Sequence, residues 1–282
     1  MTLSNQIKQT NKVAELAKVA LVTGAAQRIG RSIALGLARD GWDIAVHYGH
    51  SEEQALATVA DITALGRRAV ALQCDLGDEA DVKTLLPRAI AALGSVSCIV
   101  NNASRFEYDS ASDFSQIQLD PHMRVNLAAP ILLAQALHAA TRPGNQACVI
   151  NLLDQKLANL NPDFLSYTLS KAALQAATTM LAQALAPTVR VVGLSPGITI
   201  VSPHQSDVNF AAAHKIAPLG QSSVPDDIAA AACYLASASG VTGTTLIVDG
   251  GQHLLSLPRD VTFVADSTAQ PNTQANPTSE NN

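Results

Sequence analysis

Apolar residues fall along the chain in short continuous runs, separated by longer segments with helical spacing. The run Lys18-Val-Ala-Leu-Val-Thr23 is apolar, β-branched and stopped by Gly24, which predicts a buried strand. Residues 28–40 read as a helix, with Ile29, Ile33, Leu35, Leu37 and Ala38 on its apolar faces and Gly41 ending it. A strand over 42–47 and a helix over 51–65 follow, the latter opened by Ser51-Glu-Glu-Gln54 in the form of a capping box. The alternation predicts further strands at 69–74, 98–101, 147–152, 189–194 and 245–248. Helices are expected at 78–93, 113–140, 163–185 and 225–236. Strands joined by helices of this length call for an α/β fold, a doubly wound (Rossmann) parallel sheet of about seven strands with helices on both faces.

The length of 282 residues permits two domains, yet single α/β domains reach about 250 residues. The unbroken pattern favours one domain over 16–257, between an N-terminal arm (1–15) and a C-terminal tail (258–282). Residues 266–282 contain no Val, Ile, Leu, Met or aromatic residue, so they cannot offset their ordering entropy and are expected to be disordered.

Composition narrows the function. A hydrophobic share of 48% excludes a wholly disordered chain, and a net charge of -5 with 4% aromatic residues argues against nucleic-acid binding. Cys74, Cys98, Cys148 and Cys233 are far apart and form no metal-ligand cluster, as expected of reduced thiols. Residues 1–15 lack the apolar core of a secretory signal, and no apolar run reaches 18 residues, so a soluble cytoplasmic protein without a membrane partner is expected.

Candidate chemistry gathers at the carboxyl ends of the strands, where open α/β sheets bind ligands. Thr23-Gly-Ala-Ala-Gln-Arg-Ile-Gly30 joins the first strand to the first helix. Its small residues let the backbone approach a pyrophosphate, and the helix start offers free N–H groups. A simple tight turn would look the same in isolation. Cys74-Asp-Leu76, Asn101-Asn-Ala-Ser104 and Ser195-Pro-Gly197 end other strands at this edge. Asp75 alone could be a helix cap and Pro196-Gly197 an ordinary turn, but together the fragments outline one crevice. Tyr167 and Lys171 stand four residues apart, on one helix face. A neighbouring ammonium is expected to lower the phenol pKa from near 10 and make Tyr167 a usable acid/base. Alone, this pair reads more readily as two exposed side chains.

Taken in order, Thr23-Gly24…Gly30, Asp75, Asn101-Asn-Ala103, Asn126, Tyr167…Lys171, Pro196-Gly197 and Val248-Asp-Gly-Gly251 resemble the short-chain dehydrogenase/reductases from about Val19 to Gln252. Two departures narrow the resemblance. Arg28 stands where most members have a third glycine, and Asp154 stands where most have a serine 13 residues before the tyrosine. Both departures resemble the pteridine reductases, which include bacterial dihydromonapterin and dihydrofolate reductases of short-chain type. His47-Tyr48 with Ser51, Phe106, and Asp249-Gly-Gly-Gln-His-Leu254 fit the same group.

The resemblance implies an NADPH-dependent reductase of a pterin or folate, acting as a homotetramer on a small-molecule substrate. It implies catalytic roles for Asn126, Asp154, Tyr167 and Lys171. Cofactor contacts are implied for Gly24, Arg28, Ile29, Gly30, His47, Tyr48, Ser51, Asp75, Leu76, Asn102, Ala103, Ser104, Tyr167, Lys171, Pro196 and Gly197. Arg28, Phe106, Asp154 and Tyr167 are the implied substrate contacts, although Phe106 could equally be a packing residue. Chemically, Asp154 suits delivery of a proton to nitrogen better than stabilisation of an alkoxide, whose charge an ionised carboxylate would oppose. The alternative is that Asp154 only caps the segment after the fifth strand. Cofactor choice turns on His47-Tyr-Gly-His-Ser51, which lacks the acidic residue that favours NAD but carries His50 where the pteridine reductases usually have arginine. The remaining alternatives are a short-chain reductase of another carbonyl or imine, and a nucleotide sensor. The sensor is disfavoured by the presence of Asn126, Tyr167 and Lys171.

Overall fold

The computed structural model describes residues 18–201 and 205–263. The expected arm (1–15) and the disorder expected from 266 lie outside the described residues. Among the latter, seven parallel strands form one sheet: β1 (Val19–Val22), β2 (Asp43–Tyr48), β3 (Ala69–Gln73), β4 (Cys98–Asn101), β5 (Ala147–Leu152), β6 (Val189–Pro196) and β7 (Thr245–Val248). Their order is β3-β2-β1-β4-β5-β6-β7. Val22 is in register with Val46 on one side and with Val100 on the other, so the order reverses between β1 and β4. That switch point opens the ligand crevice.

The continuous apolar strands are explained by cover on both faces. Ala20 and Val22 pack under α1 (Arg28–Arg39), α2 (Glu52–Ala64) and α8 (Pro225–Ser237). Val19 and Leu21 point the opposite way, toward α3 (Glu79–Leu93), α5 (Ala129–Ala140) and α6 (Leu165–Ala184). Gly36 lets α1 and α8 come close, since a Cβ there would sit 3.0 Å from the Ala229 Cβ.

Four local expectations change. Ser51 starts α2 without a side-chain capping bond, so the predicted capping box does not form. The helix expected over 113–140 is α4 (Gln116–Met123), a π-turn (Arg124–Ala128) and α5. Pro130 has no N–H to give the Asn126 carbonyl, and the Ala129 N–H instead reaches the Arg124 carbonyl, widening the turn. The segment after β6, where no helix is expected before 225, contains α7 (Asp207–Ile216), capped by the Ser206 side chain on the Asn209 N–H. Finally, residues 258–263 do not continue as a free tail. Val261 is buried against Ala213 and Leu257, and Arg259 pairs with buried Asp163.

Candidate active site

The turn after β1 is held from below. His47, 2% exposed at the end of β2, accepts the Gly24 N–H at Nδ1 (3.0 Å), which fixes its other nitrogen as the donor to the Cys74 carbonyl (3.0 Å). Burial pushes its pKa down to about 4, so the ring is neutral at physiological pH. The expected cofactor contact of the His47 ring is therefore corrected: both nitrogens bind protein, and the residue stitches β1, β2 and β3 together beneath the loop. Gly24 has φ +63°, and a Cβ on Gly30 would run into the Gly24 carbonyl. Only glycine fits at Gly30, where the helix meets its own loop. Gln27 precedes α1 without a side-chain capping bond, so the first-turn N–H groups have no side-chain partner there.

Arg28 adopts a left-handed backbone (φ +56°), a conformation that costs a non-glycine residue roughly 1–2 kcal/mol. Its guanidinium reaches across the crevice to the Val201 carbonyl at 2.9 Å. Opposite, the loop after β4 is pinned by Thr23, whose hydroxyl accepts the N–H groups of Asn102 and Ala103, both at 3.0 Å. The Asn102 amide returns a bond to the Thr23 carbonyl (2.9 Å).

The π-turn presents Asn126, which is buried. Its oxygen accepts from the Arg105 N–H (2.8 Å) and the Ser104 hydroxyl (3.2 Å). Its nitrogen donates to the Arg105 carbonyl (3.0 Å) and to the Ser170 hydroxyl (2.9 Å). Asn126 thus ties the loop after β4 to α6, one turn from Tyr167.

Tyr167 donates its phenolic O–H to Asp154 Oδ2 at 2.7 Å. Asp154 Oδ1 accepts the Lys156 N–H at 2.9 Å. The carboxylate therefore both caps the short turn after β5 and engages the phenol. Lys171 is buried; its ammonium donates to the Leu152 carbonyl (2.7 Å) and lies 5.8 Å from the Tyr167 ring centre. The electrostatics correct one expectation. The Tyr167 pKa is not lowered but pushed well above its ordinary value, by burial and then by the adjacent Asp154 charge. Burial likewise raises Asp154 above the usual carboxylate range and lowers Lys171 to about 8. At neutral pH the phenol keeps its proton.

Phe106 borders this centre. Its ring stacks on Phe164 at 4.4 Å and meets Tyr167 edge-on at 4.7 Å. Phe164 is itself left-handed (φ +55°) at the start of α6. The capping group comes from the loop after β4, where buried Asp109 accepts from the Ser166 N–H (2.9 Å) and from the Ser166 hydroxyl.

A cleft of about 560 Å³ joins these parts. Gly24, Arg28, Ile29, Gly30, Asn102, Ala103, Ser104, Phe106, Asp154, Tyr167 and Gly197 line it, as the sequence placed them together. Asn126 and Lys171 stand behind that lining, and Pro196 ends β6 beside it. Tyr48 and Ser51 lie partly exposed at the β2 end, Asp75 is exposed, and Leu76 is buried. Asp75 is bound locally, its N–H donating to Asp81 and its carboxylate accepting the Gly77 N–H.

Sequence reasoning missed the other wall. Lys156, 3% exposed, donates to the Asp163 carbonyl (2.6 Å) and to Asp260 Oδ2 (3.1 Å). Asp163 takes the Arg259 guanidinium through both oxygens and also accepts the Asp260 N–H. This clamp lays residues 260–262 along the cleft. The signal was present in Arg259-Asp-Val-Thr-Phe263, which is charged and apolar, unlike the polar stretch after it.

A family profile described as enoyl-(acyl carrier protein) reductase matches residues 24–253. In structure the chain is similar to FolM alternative dihydrofolate reductase 1 from Brucella canis, crystallised with NADP. The TM-score is 0.82 at 36% identity, covering 86% of this chain and 96% of that one. In sequence it is 31% identical over 250 residues to a 3-oxoacyl-(acyl-carrier-protein) reductase from Staphylococcus aureus, covering 85% of this chain and 100% of the relative. It is also 30% identical over 245 residues to an L-rhamnose 1-dehydrogenase from a Sphingomonas strain, covering 84% and 96%. The chain belongs to the short-chain dehydrogenase/reductase family.

Proposed function

We propose that this oxidoreductase uses NADPH to reduce a dihydropterin or dihydrofolate, adding hydride to the carbon of a ring C=N bond and a proton to its nitrogen. The observation that carries this reading is the Tyr167 O–H bonded to half-buried Asp154 at 2.7 Å, in place of the tyrosine–serine arrangement of ordinary ketone reductases. The Brucella relative crystallised with NADP supports the cofactor and, by its name, the substrate class.

The residues present fit such a cofactor. The Gly24–Gly30 turn closes too tightly for a side chain, and the first-turn N–H groups of α1 suit a pyrophosphate. Asn102, Ala103, Ser104 and Gly197 would hold the nicotinamide half, with Lys171 on its ribose. Ser51, free of capping duty, and the neighbouring Tyr48 and His50 would receive a 2′-phosphate. Asp75 and Leu76 would border the adenine. NADPH supplies the hydride when bound.

The chain's own residues handle the proton. Tyr167 gives its proton to the substrate nitrogen, and Asp154, oriented by the Lys156 N–H, takes up a proton from solvent water through the cleft and passes it to the phenolate. The Lys171 ammonium favours the charge that develops on the phenol, and Asn126 keeps the β4 loop and α6 in register. Phe106 stacks on the flat ring, and Arg28 bonds its polar edge or the cofactor phosphate. The protein works in the cytoplasm as a homotetramer. Exposed Ile117, Leu169 and Met180 on α4 and α6 support such an apolar contact face. Among the described residues no helix is long and apolar enough to cross a membrane.

A second reading, reduction of another carbonyl or imine, is favoured by the Staphylococcus and Sphingomonas relatives, whose names give other substrates. NADPH and NADH oxidation at 340 nm with dihydrobiopterin, dihydromonapterin, dihydrofolate and simple ketones separates the two. Turnover of dihydropterins with NADPH is expected; turnover of ketones alone would overturn the proposal.

Two further outcomes follow from the geometry. Because Lys171 is held at about 8 and its ammonium is the working form, kcat/KM should fall as pH rises above about 8. The limb in kcat should lie higher, since an anionic cofactor stabilises the ammonium; a flat profile to pH 10 would remove Lys171 from the mechanism. Arg28→Gly relieves the left-handed strain, so Tm should hold or rise while substrate KM increases about tenfold through loss of a charged hydrogen bond. Thermal melts and initial rates on one preparation check both halves.

A further inference from the structure

We propose that the wall of the cleft formed by Gln205, Gln252 and Asp260 is a polar subsite for a hydroxylated side chain on the substrate ring. The inference rests on the pterin reading and names the part of the substrate that this wall recognises.

The carrying observation is a pair of buried amide atoms left without partners. Gln252 is 2% exposed, and its Oε1 accepts from the Ile198 N–H (3.0 Å) and the Ser222 hydroxyl (3.4 Å). A backbone N–H can meet only an oxygen there, so the amide cannot be flipped, and Nε2 is left buried with no partner. Gln205 shows the complementary case. Its Nε2 donates to Asn209 Oδ1 (2.6 Å), and Asn209 Nδ2 in turn donates to the Thr262 carbonyl (2.8 Å). Gln205 Oε1 is left buried with no partner.

Asp260 completes the set. Lys156 Nζ binds one carboxylate oxygen and the Thr262 N–H binds the other (3.1 Å each), leaving lone pairs on a side chain that is 17% exposed. All three residues line the same cleft as Asp154 and Tyr167. Buried polar atoms are rarely left unpaired, and such orphans commonly mark places where a ligand or water bonds.

The available groups are one amide donor and two kinds of acceptor. A hydroxyl matches them, giving its O–H to Gln205 Oε1 or Asp260 and taking the Gln252 N–H on its own oxygen. An apolar tail satisfies none of them, and a carboxylate tail would meet the Asp260 charge. These groups line the same cleft as Tyr167 and Asp154, so a ring held at Tyr167 presents its side chain within that cleft. A site built to bond a hydroxyl rejects an analogue lacking it because its own groups then stay unpaired.

The test compares 7,8-dihydrobiopterin, with two side-chain hydroxyls, and 6-methyl-7,8-dihydropterin, with none, using NADPH and the full chain. Wild type should show a kcat/KM ratio of about tenfold or more in favour of the hydroxylated substrate, as one or two hydrogen bonds would give. Gln252→Glu keeps the oxygen that Ile198 and Ser222 use and replaces only the orphaned donor; the ratio should collapse toward one. Gln252→Met, similar in volume and uncharged, should do the same if the buried Glu charge disturbs folding. A wild-type ratio near one, or a ratio unchanged in either folded variant, overturns the subsite while leaving the pterin reading intact. Failure of wild type to consume either dihydropterin overturns the pterin reading, and the subsite with it.

Discussion

Tyr167→Phe is expected to lower kcat by about a hundredfold to ten-thousandfold, the range for losing a positioned proton donor. The ring still packs edge-on against Phe106, so Tm should change little. NADPH affinity should also persist, because Lys171 is anchored on the Leu152 carbonyl and not on the phenol. The substitution leaves Asp154 without the O–H that now satisfies Oδ2, which pushes its proton affinity higher still. Single-turnover rates and NADPH titration separate the two effects. Retention of most of kcat would remove Tyr167 from the chemistry.

Asp154 should give the second large effect, and it distinguishes pterin from ketone reduction. Asp154→Ser restores the residue common in the family and should lower dihydropterin kcat by about a hundredfold, while leaving or raising weak turnover of simple ketones. Asp154→Asn retains an oxygen for the Lys156 N–H, so the turn after β5 stays capped, but it cannot cycle a proton to Tyr167. It should lose dihydropterin turnover in kcat rather than KM.

Stability should move the other way. The folded-state pKa of Asp154 is raised above its ordinary value, so folding favours the neutral acid. The resulting cost is absent below the ordinary carboxylate value and grows as pH rises through the raised one. At neutral pH the cost is present, and Asp154→Asn should therefore raise Tm while abolishing activity. Dihydropterin turnover at the wild-type rate in both variants would make Asp154 a structural cap alone.

Much of this protein is written locally. The strands at 98–101, 147–152 and 245–248 were legible to the residue; the first two are buried along their whole length, as continuous apolar runs require, and the third, at the sheet edge, shows in its β-branched run between turns. The glycines of the first loop and the Tyr167–Lys171 spacing are local as well, since a strand-to-helix turn and a helix face each span only a few residues. The exact bend at Asn126 was not read, although Pro130 four residues on is its cause. A proline in a helical pattern does not say how the freed carbonyl will be accommodated.

What the tertiary structure alone decided concerns burial and partners distant in sequence. Tyr167 and Lys171 form a low-pKa pair on paper, yet burial and Asp154 reverse the sign for the phenol, and desolvation depends on everything packed around it. The family resemblance placed His47 in the cofactor set, but its two ring nitrogens are taken by Gly24 and Cys74, beyond the ends of two other strands. The strap at 258–263 joins the site through Lys156–Asp260 and Asp163–Arg259, bridges spanning about a hundred residues of chain. Local sequence determines which segments can be strands, helices and tight turns, because those depend on near neighbours. Which charges are stripped of water, and which side chains meet across the cleft, is fixed only when the sheet order brings distant segments together.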